Sequence, residues 1–210
     1  MSTEISLKKV YSMLDSGLNY KDIADHFRCN KGTIFNMVKR DKHKRFLAPI
    51  KMAQKVLKEY ALNNPPIDIK QIVKLEGYKL FNQKLPQDVS GMIEKTKKEK
   101  NIYINSSHAP TRQRFSLAHE LGHHFLHTIE GEHKDNSTLF RKETDNTLEI
   151  DKEANRFASE LLMPDKLVRK EIALSGQEID EDLLEKLASR FEVSTIAMTY
   201  RLQNLGFELL

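Results

Sequence analysis

The sequence predicts an α+β protein in two parts, a small N-terminal three-helix module and a larger body in which a short antiparallel sheet packs on one helix and further helices follow. Three observations carry this prediction. Residues 5 to 39 show apolar recurrence at helical spacing in three short segments broken at Gly17 and at Arg28-Cys29-Asn30. Residues 78–81, 91–94 and 101–105 instead alternate, as half-buried strands do, immediately before a second helical pattern at Phe115, Leu117, Ala118, Leu121, Phe125 and Leu126. Charge is also divided unevenly: residues 1 to 45 hold ten Lys and Arg against five Asp and Glu, leaving 24 against 25 for the rest of the 210-residue chain. The division expected is therefore 1–44 and 45–210, with the basic part suited to nucleic acid and the near-neutral body not.

In chain order, Ile5, Leu7, Val10, Tyr11 and Leu14 form one apolar stripe that ends at Gly17. Asn19 is placed to cap a second helix, Tyr20 to Phe27, and a third runs from about Lys31 to Lys39. Three short helices with one tight turn suit a helix-turn-helix, and Gly17, Ile23-Ala24 and Thr33-Ile34 resemble the resolvase-type pattern. On that reading Thr33 and Asn36 of the third helix are base-edge readers, and Lys31, Lys39 and Arg40 meet phosphates; the alternative is a protein-docking module. The polar run Asp41 to Arg45 is expected as a hinge. Behind it, 46–62 and 67–75 read as packing helices separated by Asn63-Asn64-Pro65-Pro66. The strands at 91–94 and 101–105 are expected to form a hairpin through the lysine-rich 95–100 turn. Thr128 to Asn146 reads as a loop, Leu148 to Met163 as a helix stopped by Pro164, and 181–190 and 194–205 as a closing helical pair with Ser194 as N-cap.

Within the helical pattern after the sheet lies His119-Glu120-Leu121-Gly122-His123. An H-E-x-x-H stretch on a helix sets two imidazoles one turn apart with a carboxylate beside them, half of a zinc site with a general base attached. Packed core histidines are the plainer reading of the same spacing. A third ligand is needed, and the helix 148–163 offers Glu149, Asp151 and Glu153. At about 100° per residue, Asp151 lies about 60° from the apolar centre of that helix, Glu153 about 100° and Glu149 about 140°, so Asp151 is the most inward. Asn155 stands one turn after Asp151, where it could hold a ligand histidine. Cys29 is the single cysteine, so no internal disulfide can form and there is no cysteine-based metal pattern. With no apolar h-region at the start and no run of membrane-spanning length, a cytoplasmic protein without membrane contact is expected.

The stretches NIYINSSHAPTRQRFSLAHELGHHFLH (101–127) and EANRFASELLMP (153–164), continuing through LASRFEVS, resemble the ImmA/IrrE family of zinc metallopeptidases over most of residues 60 to 206. That resemblance implies a zincin-like domain holding Zn2+ through His119, His123 and a glutamate three positions before the Ala of the A-N-x-F-A phrase. In this sequence that position is Asp151, and Glu153 is the alternative ligand. The resemblance further implies Glu120 as the catalytic base and a helix-turn-helix repressor of a mobile element or of stress genes as the substrate. The alternative function is a DNA-binding regulator whose peptidase-like half only senses or docks a partner. An oxyanion-stabilising residue is not singled out among Tyr200, His108, Arg112 and Arg114.

Overall fold

In a computed structural model of the chain, residues 5–127, 131–136, 145–176 and 178–208 are described. They form helices α1 (Leu7–Asp15), α2 (Tyr20–Phe27), α3 (Lys31–Glu59) and α4 (Ile69–Leu75), then strands β1 (Lys79–Gln83), β2 (Val89–Lys95) and β3 (Lys100–Asn105). Helix α5 (Pro110–Leu126), strand β4 (Gly131–Asn136) and helices α6 (Asp145–Leu162), α7 (Asp165–Ser175), α8 (Glu181–Phe191) and α9 (Thr195–Asn204) complete the order. The chain divides into two compact units, Met1–Ala48 and Pro49–Leu210. No helix among the described residues is long and apolar enough to cross a membrane.

The N-terminal unit closes on Val10, Ile23, Ala24, Phe27, Ile34 and Val38. Asn19 forms a full capping box with Asp22, and Arg28 takes the left-handed conformation (φ 52°) that turns the chain between α2 and α3. The expected hinge at Asp41 to Arg45 is not a break: α3 runs through it. Lys and Arg are good helix formers, Asp41 pairs with Arg45 one turn on (2.8 Å), and Tyr11 donates to Asp41 (3.0 Å), so this polar run is a solvated helix face.

In the larger unit the sheet order is β1-β3-β2-β4. Strands β2 and β3 form the expected antiparallel hairpin, with Ile93 opposite Ile102, while β1 joins β3 in parallel. The expectation of a loop over 128–146 is corrected in part: Gly131–Asn136 pairs antiparallel with β2 as an edge strand, and α6 begins at Asp145. The remainder of that stretch, 128–130 and 137–144, lies outside the described residues. Helix α7 was not foreseen; Pro164, expected only as a stop, is also the N-cap of α7.

Helix α5 lies across β2 and β3, and its other side meets α6. Leu117, Ala118 and Leu121 join Ile93, Ile102, Ile104, Phe157, Ala158 and Leu161 in one core, which α8 and α9 extend through Leu187, Phe191, Met198 and Leu202. Burying each of the larger of these side chains contributes about 1.5–3 kcal/mol. The C-terminal end of α6 is tied to α9 by a buried ion pair. The Arg201 guanidinium donates to Glu160 and, through Nε, to the Met163 carbonyl (2.9 Å), and Gln54 donates to the second Glu160 oxygen (3.0 Å).

Candidate metal centre

Helix α5 is buried on every side from Ser116 to His123, which carries two imidazoles and a carboxylate into the interior. The cost of burying such polar groups is met where they have partners. His119 Nδ1 lies 2.9 Å from Asn155 Oδ1 of α6. An amide oxygen only accepts, so Nδ1 carries the proton and the His119 Nε2 bears the lone pair. His123 Nε2 stands 2.9 Å from that nitrogen, and Asp151 Oδ1 lies 3.3 Å from His123 Nε2 and 4.0 Å from His119 Nε2.

One ligand atom from each of His119, His123 and Asp151 thus falls within 4.8 Å of the others, the one such group of histidines, cysteines and acids among the described residues. Donor atoms around a tetrahedral ion with bonds of about 2.1 Å stand about 3.4 Å apart, so the three distances suit one divalent cation with a position left open. Two imidazoles and a carboxylate are also the donor chemistry such an ion takes. Glu153, the alternative ligand, is not in this group; its carboxylate lies 3.8 Å from His127.

Glu120 is fully buried and lies against the β2 backbone: a Cβ built on Gly91 would stand 2.8 Å from Glu120 Oε1. A second close approach sets α6 against α5, since a Cβ on Gly122 would stand 3.0 Å from Ala154 Cα and from its carbonyl oxygen. Sequence reasoning placed Gly91 in a strand and Gly122 in the helix but singled out neither for a close approach. A lone Gly inside the Val89–Lys95 strand is the signal for close backbone approach that could have pointed to Gly91.

His124, on the far side of α5, belongs to another network. Tyr78 donates to its Nδ1 (2.9 Å), its Nε2 donates to Glu76 (2.8 Å), and Tyr60 donates to the other Glu76 oxygen. Burial pushes His124 below its ordinary value. Burial alone would raise Glu76, but the hydrogen bonds from Tyr60 and His124 outweigh it and hold the carboxyl low. Tyr60 is pushed up to about 12, first by its bond to Glu76, and Tyr78 to about 12 by burial.

None of the four oxyanion candidates joins the ligand group. Arg112 donates to Ser90 Oγ (3.1 Å), Arg114 to the Ile67 carbonyl (2.6 Å), His108 lines a separate hollow with Arg112, and Tyr200 is 64% exposed on α9. Lys31, Thr33, Asn36, Lys39 and Arg40 are all exposed on α3 in the N-terminal unit.

A sheet laid on an H-E-x-x-H helix, with a carboxylate brought in by the next long helix, is the arrangement of a metallopeptidase domain. Residues 76–203 match the peptidase family described as the IrrE N-terminal-like domain, and the chain belongs to that family. It is 27% identical over 154 residues to Metallopeptidase ImmA of Bacillus subtilis (strain 168), covering 73% of this chain and 83% of that one. It is 30% identical over 118 residues to immunity region protein 2 of Bacillus phage phi105, covering 55% and 68%. Among solved structures, a Mycobacterium tuberculosis transcriptional regulator superposes with a TM-score of 0.47 at 15% identity, over 89% of this chain and 52% of that one.

Proposed function

We propose that the chain is a zinc-dependent regulatory endopeptidase of the cytoplasm that cuts a helix-turn-helix repressor, and that residues 1 to 44 are a helix-turn-helix that binds DNA near its substrate. The observation that carries the reading is the convergence of His119, His123 and Asp151 beside a fully buried Glu120. His119 Nε2, His123 Nε2 and Asp151 Oδ1 would hold Zn2+. When bound, zinc supplies a Lewis acid that lowers the pKa of a water toward ~7 and polarises the scissile carbonyl. Glu120 accepts the proton of the attacking water at a carboxylate oxygen and returns it to the leaving amine nitrogen. Asn155 keeps His119 in the tautomer that binds. Gly91 leaves room for the Glu120 carboxylate against the strand.

The DNA reading rests on the exposed row Lys31, Thr33, Asn36, Lys39 and Arg40 on a helix entered through a tight turn. The test is to measure zinc content and then incubate parent, Glu120→Gln and Asp151→Ala proteins with a helix-turn-helix repressor. The parent should make one metal-dependent cut, Glu120→Gln should keep zinc and make none, and Asp151→Ala should lose both. Cutting by Glu120→Gln at the parent rate ends this reading. A zinc-loaded parent that binds the repressor and leaves it whole favours a docking regulator instead.

A further inference from the structure

A partly enclosed cavity of about 220 Å3 lies between α4, β1 and the N-terminal half of α5, apart from the metal centre. Leu117 on its wall is two residues from His119 and so faces about 200° away around the helix. Its apolar lining is Ile69, Leu80, Ile104, Pro110 and Leu117, of which Ile69, Ile104 and Leu117 are almost fully buried and Leu80 is half-buried. Its polar lining is Lys70, Asn82, Gln113, Arg114 and Glu192, and the Arg114 side chain is only 15% exposed. One guanidinium nitrogen donates to the Ile67 carbonyl, and another stands 3.4 Å from Glu192, a residue whose own side chain is 58% exposed. The buried Nε–H has no acceptor among the described residues.

Burial pulls Arg114 below its ordinary value, against the pull of Glu192 and Asp68 in the other direction, so its charge is poorly served. Lys70 adds a second cation to the lining, and Glu192 is the single acid there. Charge and shape together call for a small anion with an apolar body. The volume is below the about 300 Å3 at which drug-sized sites begin, so the occupant is small.

We propose that this cavity is a binding site for a small organic carboxylate, with its apolar body on Ile69, Leu80, Ile104 and Leu117 and its carboxylate on Arg114 in place of Glu192. Glu192 is the left-handed C-cap (φ 53°) of α8, at the turn that leads into α9. The site is independent of the peptidase reading.

The test is calorimetric titration of octanoate into the full chain. Saturable one-site binding is expected, with a dissociation constant of about 1 mM or tighter for a ligand of this size. Asn82→Trp, which fills the cavity from an exposed position on β1, should abolish it. Glu192→Gln, which removes the competing carboxylate, should tighten it about threefold or more, and Arg114→Lys should weaken it about tenfold, because the forked contact is lost. Octanol should not compete. Arg114 also holds the Ile67 carbonyl, so a poorly folded Arg114 variant leaves the decision to the two exposed positions. No saturation by about 10 mM octanoate, unchanged binding to Asn82→Trp, weaker binding to Glu192→Gln, or equal binding of octanol overturns the proposal.

Discussion

Gly122→Ala tests whether Asp151 reaches the histidines only because two helices almost touch. The new methyl would stand 3.0 Å from Ala154 Cα and carbonyl oxygen and 3.2 Å from Ala154 Cβ, where ordinary contact begins at 3.4 Å. Two of those atoms are backbone, so no side chain can swing away, and α6 must retreat by about half an ångström. Asp151 lies three residues before Ala154, about 4.5 Å along the helix, and moves with it. Its oxygen already stands 3.3 and 4.0 Å from the two imidazole nitrogens. Metal–oxygen bonds tolerate about 0.2 Å, and aspartate has no spare methylene with which to follow. Zinc affinity should fall about 10–100-fold, or about 1.4–2.7 kcal/mol, while overpacking costs about 1–3 kcal/mol of stability. Competition against a chromophoric chelator measures the first, and urea denaturation of the metal-free protein the second. Adding Asp151→Glu restores a methylene and should recover most of the lost affinity without recovering stability. Zinc binding by Gly122→Ala within about twofold of the parent, or a double variant no better than the single, refutes the reasoning.

Other expected outcomes bear on the base, the core and titration. Gly91→Ala, whose Cβ would meet Glu120 Oε1 at 2.8 Å, should lower kcat for repressor cleavage about tenfold or more while zinc content stays at the parent level. Arg201→Ala strands the buried Glu160 carboxylate and should cost about 3–5 kcal/mol in chemical denaturation, with Arg201→Lys intermediate. Tyr60 and Tyr78 should be late to ionise in an absorbance titration, near 12 rather than 10. Because their folded values are raised, the stability they contribute is whole below pH 10 and is lost as pH rises from 10 to about 12. Tyr60→Phe should remove part of that alkaline loss. Glu76 is shifted the other way, so its contribution is present above pH 4.5 and is lost as pH falls through its lowered folded value, a loss that Glu76→Gln should abolish.

How much of this was legible in the sequence depended on whether side chains or backbone did the work. Helix α5 could be read because its apolar residues recur at helical spacing, and α6 because the same period separates an inward Asp151 from an outward Glu149. Strand β4 could not: GEHKDN has no alternating apolar residues, and the pairing of an edge strand with β2 is made by the backbone, which leaves no side-chain pattern. Alternation marked β1 as a strand but is silent on its neighbour, so its parallel pairing with β3 came only from the fold. The continuity of α3 was hidden because a polar run looks alike in a hinge and on a solvated helix. Proline misled in a related way, as Pro164 both ends α6 and opens α7. The approaches at Gly91 and Gly122 escaped because a missing side chain leaves no pattern.

The buried tie between Glu160 and Arg201 makes α6 a lever. Its fulcrum is Ala154 against Gly122, with Asp151 about 4.5 Å to one side and Glu160 about 9 Å to the other. Were α6 to tilt as a rigid rod about that contact, a displacement of about 1 Å at Glu160 would reach the Asp151 carboxylate as about half an ångström, reversed in direction. On that geometry a displacement at Glu160 would be halved by the time it reached Asp151, and one at the contact of Ala154 with Gly122 would be passed on in full.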